Sequence, residues 1–223
     1  MYYLLFSFEL ILLFFLSRFV TKTISQFLYN ITKSEHAAVG FMALLFFPGT
    51  LLHELSHFFM AILCFVHVGT IEFMPKIRGD SVKLGSVEIG KTDPFRRVLI
   101  GLAPVLVGLL CIFSAVYYFS TFPWHPWFLN IIVLLYVIFE IGNTMFSSKK
   151  DVEGLIPLVI VSLIFFLAGY FLGFRIPAFV IAYFTSDSII RFLQQLCLYM
   201  FLPIGIDAAI LLLARVKRGK SSV

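Results

Sequence analysis

The sequence predicts an all-α integral membrane protein of about six transmembrane helices, with a small β-hairpin or sheet between the second and the third. Three observations predict it. Hydrophobic residues make up 61% of the 223 and charged residues only 13%, against about half and a quarter in a soluble domain. The charge is gathered into short stretches between apolar runs of about 18 residues or more, the length that crosses a bilayer. The one sizeable polar stretch, His67 to Arg97, alternates apolar and polar residues in the manner of strands.

The elements follow in order. The first apolar segment runs from Tyr2 to Val20. It lacks a basic start and a small-residue cleavage site, so it is expected to be a retained helix rather than a signal peptide. A polar connector, Thr21 to His36, precedes a second segment from Ala37 to Val66. In the loop after it, Val68–Phe73, Ser81–Leu84 and Ser86–Ile89 alternate, with Gly79-Asp80 as the turn signal. Asp93-Pro94 reads as an N-cap followed by proline at the first helical position, and starts a third segment, Val98 to Phe119. The fourth covers Phe128 to Phe146, the fifth Leu155 to Gly173 and the sixth Phe192 to Ala214. Residues Ile176 to Ile190, moderately apolar but carrying Ser186, Asp187 and Ser188, suit a surface or re-entrant helix.

Three regions result. Residues 1–36 hold the first helix and its connector. Residues 37–155 form a core with the second, third and fourth helices and the β-hairpin loop 67–92. Residues 156–223 hold the C-terminal helices and a basic tail.

The net charge of +5 gives no reason to expect a nucleic-acid partner, because basic residues flanking spans mark the loops kept in the cytoplasm. With the N-terminus inside, twelve basic residues fall on the cytoplasmic side and five on the other. Both termini are therefore expected in the cytoplasm, with the cell membrane as the location. Arg18 and Lys22, just after the first helix, pull the other way locally. Cys64, Cys111 and Cys197 are isolated within apolar segments and form no CxxC pair, as expected of buried free thiols. Glu9 and Asp207 lie inside apolar segments and are expected to make interhelical hydrogen bonds, with Pro203 and Gly205 able to break the sixth helix near Asp207.

The chemistry concentrates in His53-Glu54-Leu55-Ser56-His57. Four residues turn a helix through about 400° and rise about 6 Å, so both imidazoles leave one face and can bind a single zinc ion. Glu54 then stands beside the metal's open position, placed to take a proton from an attacking water and return it to a leaving amine. Each ionisable group at mid-helix in a bilayer costs roughly 2.5–3.5 kcal/mol, and a bound Zn²⁺ is the obvious compensation for three. Hydrolysis needs a third protein ligand. Asp151, Glu140, Glu72 and Glu88 are all candidates, and geometry at this level does not choose among them.

In this setting the chain resembles the site-2 protease family of intramembrane zinc metalloproteases. The likeness rests on Phe47-Pro48-Gly49-Thr50-Leu51-Leu52 with the HExxH run after it, on Asp93-Pro94-Phe95-Arg96-Arg97 through Gly101-Leu102-Ala103-Pro104, and on Asn143 through Asp151 and Gly154. It spans about residues 40–155, half the chain. The resemblance implies hydrolysis of peptide bonds in or near transmembrane segments of membrane-protein substrates. It implies Glu54 as the catalytic base, Asp151 as the third zinc ligand beside His53 and His57, and Asn143 as a residue holding the substrate backbone. It also implies that the hairpin receives an unwound substrate strand. The chain departs from the family at Ser147-Ser148-Lys149-Lys150, where prolines are usual, and at Asp151-Val152-Glu153-Gly154, where the family has Asp-Gly. A membrane zinc protease with a Glu third ligand, and a non-proteolytic metal-binding scaffold or transporter, are the alternatives.

Overall fold

A computed structural model describes residues 1–72, 76–78, 81–83, 85–121, 127–146 and 155–220. Helix α1 (Tyr2–Thr32) is followed by α2 (Glu35–Leu45) and α3 (Phe47–Leu63), then by β1 (Val68–Glu72), β2 (Lys76–Arg78), β3 (Ser81–Lys83) and β4 (Ser86–Ile89). After these come α4 (Pro94–Thr121), α5 (Trp127–Thr144), α6 (Leu155–Phe171), the short α7 (Ala178–Phe184) and α8 (Asp187–Lys220). Gly79-Asp80, the Lys149-Lys150 pair and Asp151 lie outside the described residues.

The chain is mostly helical, with a small β element where the alternation placed it. The expectation of six spans is met only in part among the described residues. Among the described residues three helices are long and apolar enough to cross a membrane, Tyr2–Thr32, Pro94–Thr121 and Asp187–Val216, or four if the bent pair α2–α3 counts as one. The second apolar segment is broken at Phe46, where the two helix axes bend by 68°. The apolar part of α5, Phe128–Thr144, has 17 residues, roughly 26 Å at 1.5 Å each, which is the short end of the range that crosses a hydrocarbon core of about 30 Å. Helix α6 has the same length.

Other boundaries also moved. Most of the polar connector is helical, because α1 runs on to Thr32 and ends on Lys33 in the left-handed region (φ 53°). Pro203 does not break α8. Its ring lies instead against Gly142 of α5, where an added Cβ would come within 2.9 Å of Pro203 Cβ. Asp93 caps α4 as expected, accepting from the Arg96 backbone N–H at 3.0 Å.

Helix α5 is the centre of the bundle, packing against α1, α3, α4 and α8. Every residue from 138 to 145 is buried, the polar Glu140, Asn143 and Thr144 among them. Helix α1 packs along α8, and α3 packs along α4. The outward faces carry large apolar side chains, among them Phe15, Phe165 and Phe201, as lipid-facing surfaces do. The strands form two antiparallel ladders, β1 with β4 and β2 with β3. Their registers pair Glu72 with Ser86 and Arg78 with Ser81.

Candidate metal centre

The site is built on α3, and its first turn explains its direction. Phe46 (φ −99°, ψ 10°) closes α2 and opens α3. Pro48 in that turn has no N–H to leave unpaired, and Thr50 N–H bonds Phe46 O at 2.8 Å. The Gly49 N–H is satisfied from another helix, donating to Glu140 Oε2 of α5 at 2.9 Å. On the other side of the break, Tyr136 Oη donates to Leu45 O at 3.1 Å. Gly49 must be glycine here, since an added Cβ would meet Thr144 Oγ1 at 2.5 Å and Glu140 O at 2.9 Å. Helix α3 ends at Leu63, six residues beyond His57, or roughly 9 Å of helix.

His53 and His57 are both buried, and their Nε2 atoms face each other at 3.2 Å. The ring planes stand at 88°. Two nitrogen ligands at 2.0–2.1 Å from one tetrahedral zinc would stand about 3.3–3.4 Å apart. The spacing of the pair is thus close to that of two nitrogen ligands on one zinc ion. Without a metal, the same contact serves as an N–H···N hydrogen bond.

The other nitrogen of His57 fixes its tautomer. His57 Nδ1 lies 2.8 Å from Ile100 O of α4. A carbonyl only accepts, so Nδ1 carries the hydrogen and the Nε2 lone pair is presented toward His53. Metal-binding histidines are typically oriented in this way. Ile100 O is available because the residue four positions on is Pro104, inside the helix and without an N–H to donate. The spacing of Pro104 from Ile100 was legible, but the helix that would use the freed carbonyl was not.

Glu54 is buried beside these rings on the same helix. The residue before β4 closes over it: an added Cβ at Gly85 would lie 2.9 Å from Glu54 Cγ and 3.1 Å from Glu54 Oε1. The β element is thus seated directly on the glutamate of the motif.

The remaining candidates are placed as follows. Asn143 is buried on α5, its Nδ2 donating to Asp207 Oδ1 at 2.8 Å and to Phe139 O at 3.0 Å. Asp207 is fully buried on α8, so the expectation of an interhelical hydrogen bond there holds. Glu140 points to the first turn of α3 and Glu88 is exposed beside Gly69. Among the described residues no group of three His, Cys, Asp or Glu side chains is arranged to hold a metal ion. The third-ligand expectation at Asp151 falls outside them. No family model, curated protein or solved structure matches this chain.

Proposed function

We propose that this protein is an intramembrane zinc metalloprotease that hydrolyses peptide bonds in or near the transmembrane segments of other membrane proteins. The observation that carries the reading is the buried His53–His57 pair, with Nε2 atoms 3.2 Å apart on a helix of otherwise apolar character. His53 and His57 would hold the zinc, with Asp151 as third ligand. A bound ion would polarise the scissile carbonyl and lower the pKa of the attacking water toward neutrality. Glu54 takes the proton of the attacking water and returns it to the departing amine. His57 is held in the required tautomer by Ile100 O, and the segment at Gly85 keeps bulk water from Glu54. The substrate helix must unwind locally to present a carbonyl, and Asn143 is assigned to hold that backbone. The chain sits in the cell membrane with both termini in the cytoplasm.

The test compares wild type with Glu54→Gln for bound zinc and for cleavage of a model transmembrane substrate. Equal zinc with cleavage only by wild type is expected. Equal zinc with no cleavage by either protein would replace this reading with a metal-binding scaffold or transporter. Activity that survives Asp151→Ala would move the third ligand to a glutamate.

A further inference from the structure

We propose that Glu140 is a positioning residue for the metal-binding helix: with Tyr136 and Thr144 it clamps the break between α2 and α3, and so sets where His53 and His57 stand. Its consequence for metal binding rests on the zinc reading above. The clamp itself rests on geometry alone.

A helix broken within an apolar layer exposes backbone donors at the new N-terminus and acceptors at the old C-terminus, and no water is there to satisfy them. Part of the requirement at this break is met locally, by Phe46 N–H on Met42 O and Thr50 N–H on Phe46 O. Two further groups reach outside the pair, and both land on α5. The Leu45 carbonyl accepts from Tyr136 Oη, and the Gly49 N–H donates to Glu140 Oε2. Tyr136, Glu140 and Thr144 are spaced four apart and line one face of α5. Thr144 donates its Oγ1 hydrogen to Glu140 O at 2.8 Å and packs against the bare Cα of Gly49.

Glu140 is 2% exposed, and its Oε2 sits at the N-terminus of α3 as the acceptor of the Gly49 N–H. Gly49 lies four residues before His53, about 6 Å along the axis. The anchored amide is therefore one turn from the first imidazole, and a shift of α3 against α5 moves both rings relative to the rest of the bundle.

The experiment uses the full chain in lipid nanodiscs, as wild type, Glu140→Ala, Glu140→Gln and Tyr136→Phe. It reads amide hydrogen exchange over residues 47–53, zinc affinity by chelator competition, and the visible absorption of the cobalt-substituted protein. Glu140→Ala is expected to lose protection over residues 47–53, to bind zinc about 10–100-fold more weakly, and to shift the cobalt bands. Glu140→Gln keeps an acceptor oxygen for Gly49 and is expected to return all three toward wild type. Tyr136→Phe, which removes one hydroxyl, gives the same trend more weakly and serves if Glu140→Ala does not fold. Lost protection with unchanged zinc affinity and cobalt spectrum would overturn the positioning role, and so would a Gln variant as impaired as the Ala variant. If wild type binds neither metal, the zinc reading fails separately. The clamp is then upheld if exchange protection is lost in the Ala variant and kept in the Gln variant, and rejected otherwise.

Discussion

His57 is determined at both ring nitrogens, and the two determinants come from different parts of the sequence. The partner of Nε2, His53, follows from a spacing of four on a helix and could be read directly. The partner of Nδ1, Ile100 O, exists as a free acceptor only because Pro104 withholds an N–H one turn later. Nothing in a single sequence says which side chain will find that carbonyl 43 residues away. The two roles of Pro104 have opposite signs, which makes them separable. A proline inside a helix costs about 3 kcal/mol relative to alanine, so Pro104→Ala should raise the melting temperature. The same substitution supplies a backbone N–H that competes for Ile100 O, and should weaken zinc binding by up to about tenfold. Calorimetry alongside chelator competition reads both; unchanged zinc affinity in a more stable protein would remove the proline from the metal site.

The elements are legible in the sequence where local pattern decides and hidden where a distant partner does. The strands at Val68–Glu72 and Ser86–Ile89 followed from alternation, and the start of α4 from Asp93-Pro94. The second span was expected to run unbroken from Ala37 to Val66. Pro48-Gly49 in its middle was the available sign of a new helix start, since proline favours the first turn. What makes the break tolerable is on α5, 91 residues away, and local sequence does not report it. The same holds for Pro203, which packs on Gly142 rather than breaking α8. At the head of α4, the backbone N–H of Arg96 and then its guanidinium hold the Asp93 carboxyl below the usual carboxylate range. A lowered pKa in the folded state means that the cap stabilises above the unfolded value of 3.8 and is lost as pH falls through the folded one. Asp93→Ala should therefore melt below wild type at neutral pH, with the gap closing in acid as the carboxylate protonates. A gap that stays constant with pH would show that the charge of the cap is not what matters.

At the scale of the whole molecule, membrane character was plain from composition, while the number of spans was not. Hydropathy counts apolar runs; it does not see that one run is folded on itself by 68° or that two others stop at about 17 residues. The order of packing was equally hidden. Helix α5 is surrounded by four others, although as a sequence it is no more apolar than α6. The clamp on the α2–α3 break has a consequence in time as well as in space. During synthesis Gly49 leaves the ribosome long before Glu140, so the amide that opens α3 lacks its carboxyl partner until α5 is made. Until then α3 lacks the contacts to α5 that complete its first turn and the break before it. A chain ending at Thr121 is expected to leave α3 unstably inserted and protease-sensitive, and co-expression of residues 122–223 as a separate piece should restore it. Pulse-labelling with protease protection would follow this, and a truncated chain as protected as the full one would mean that α3 settles before its cap arrives.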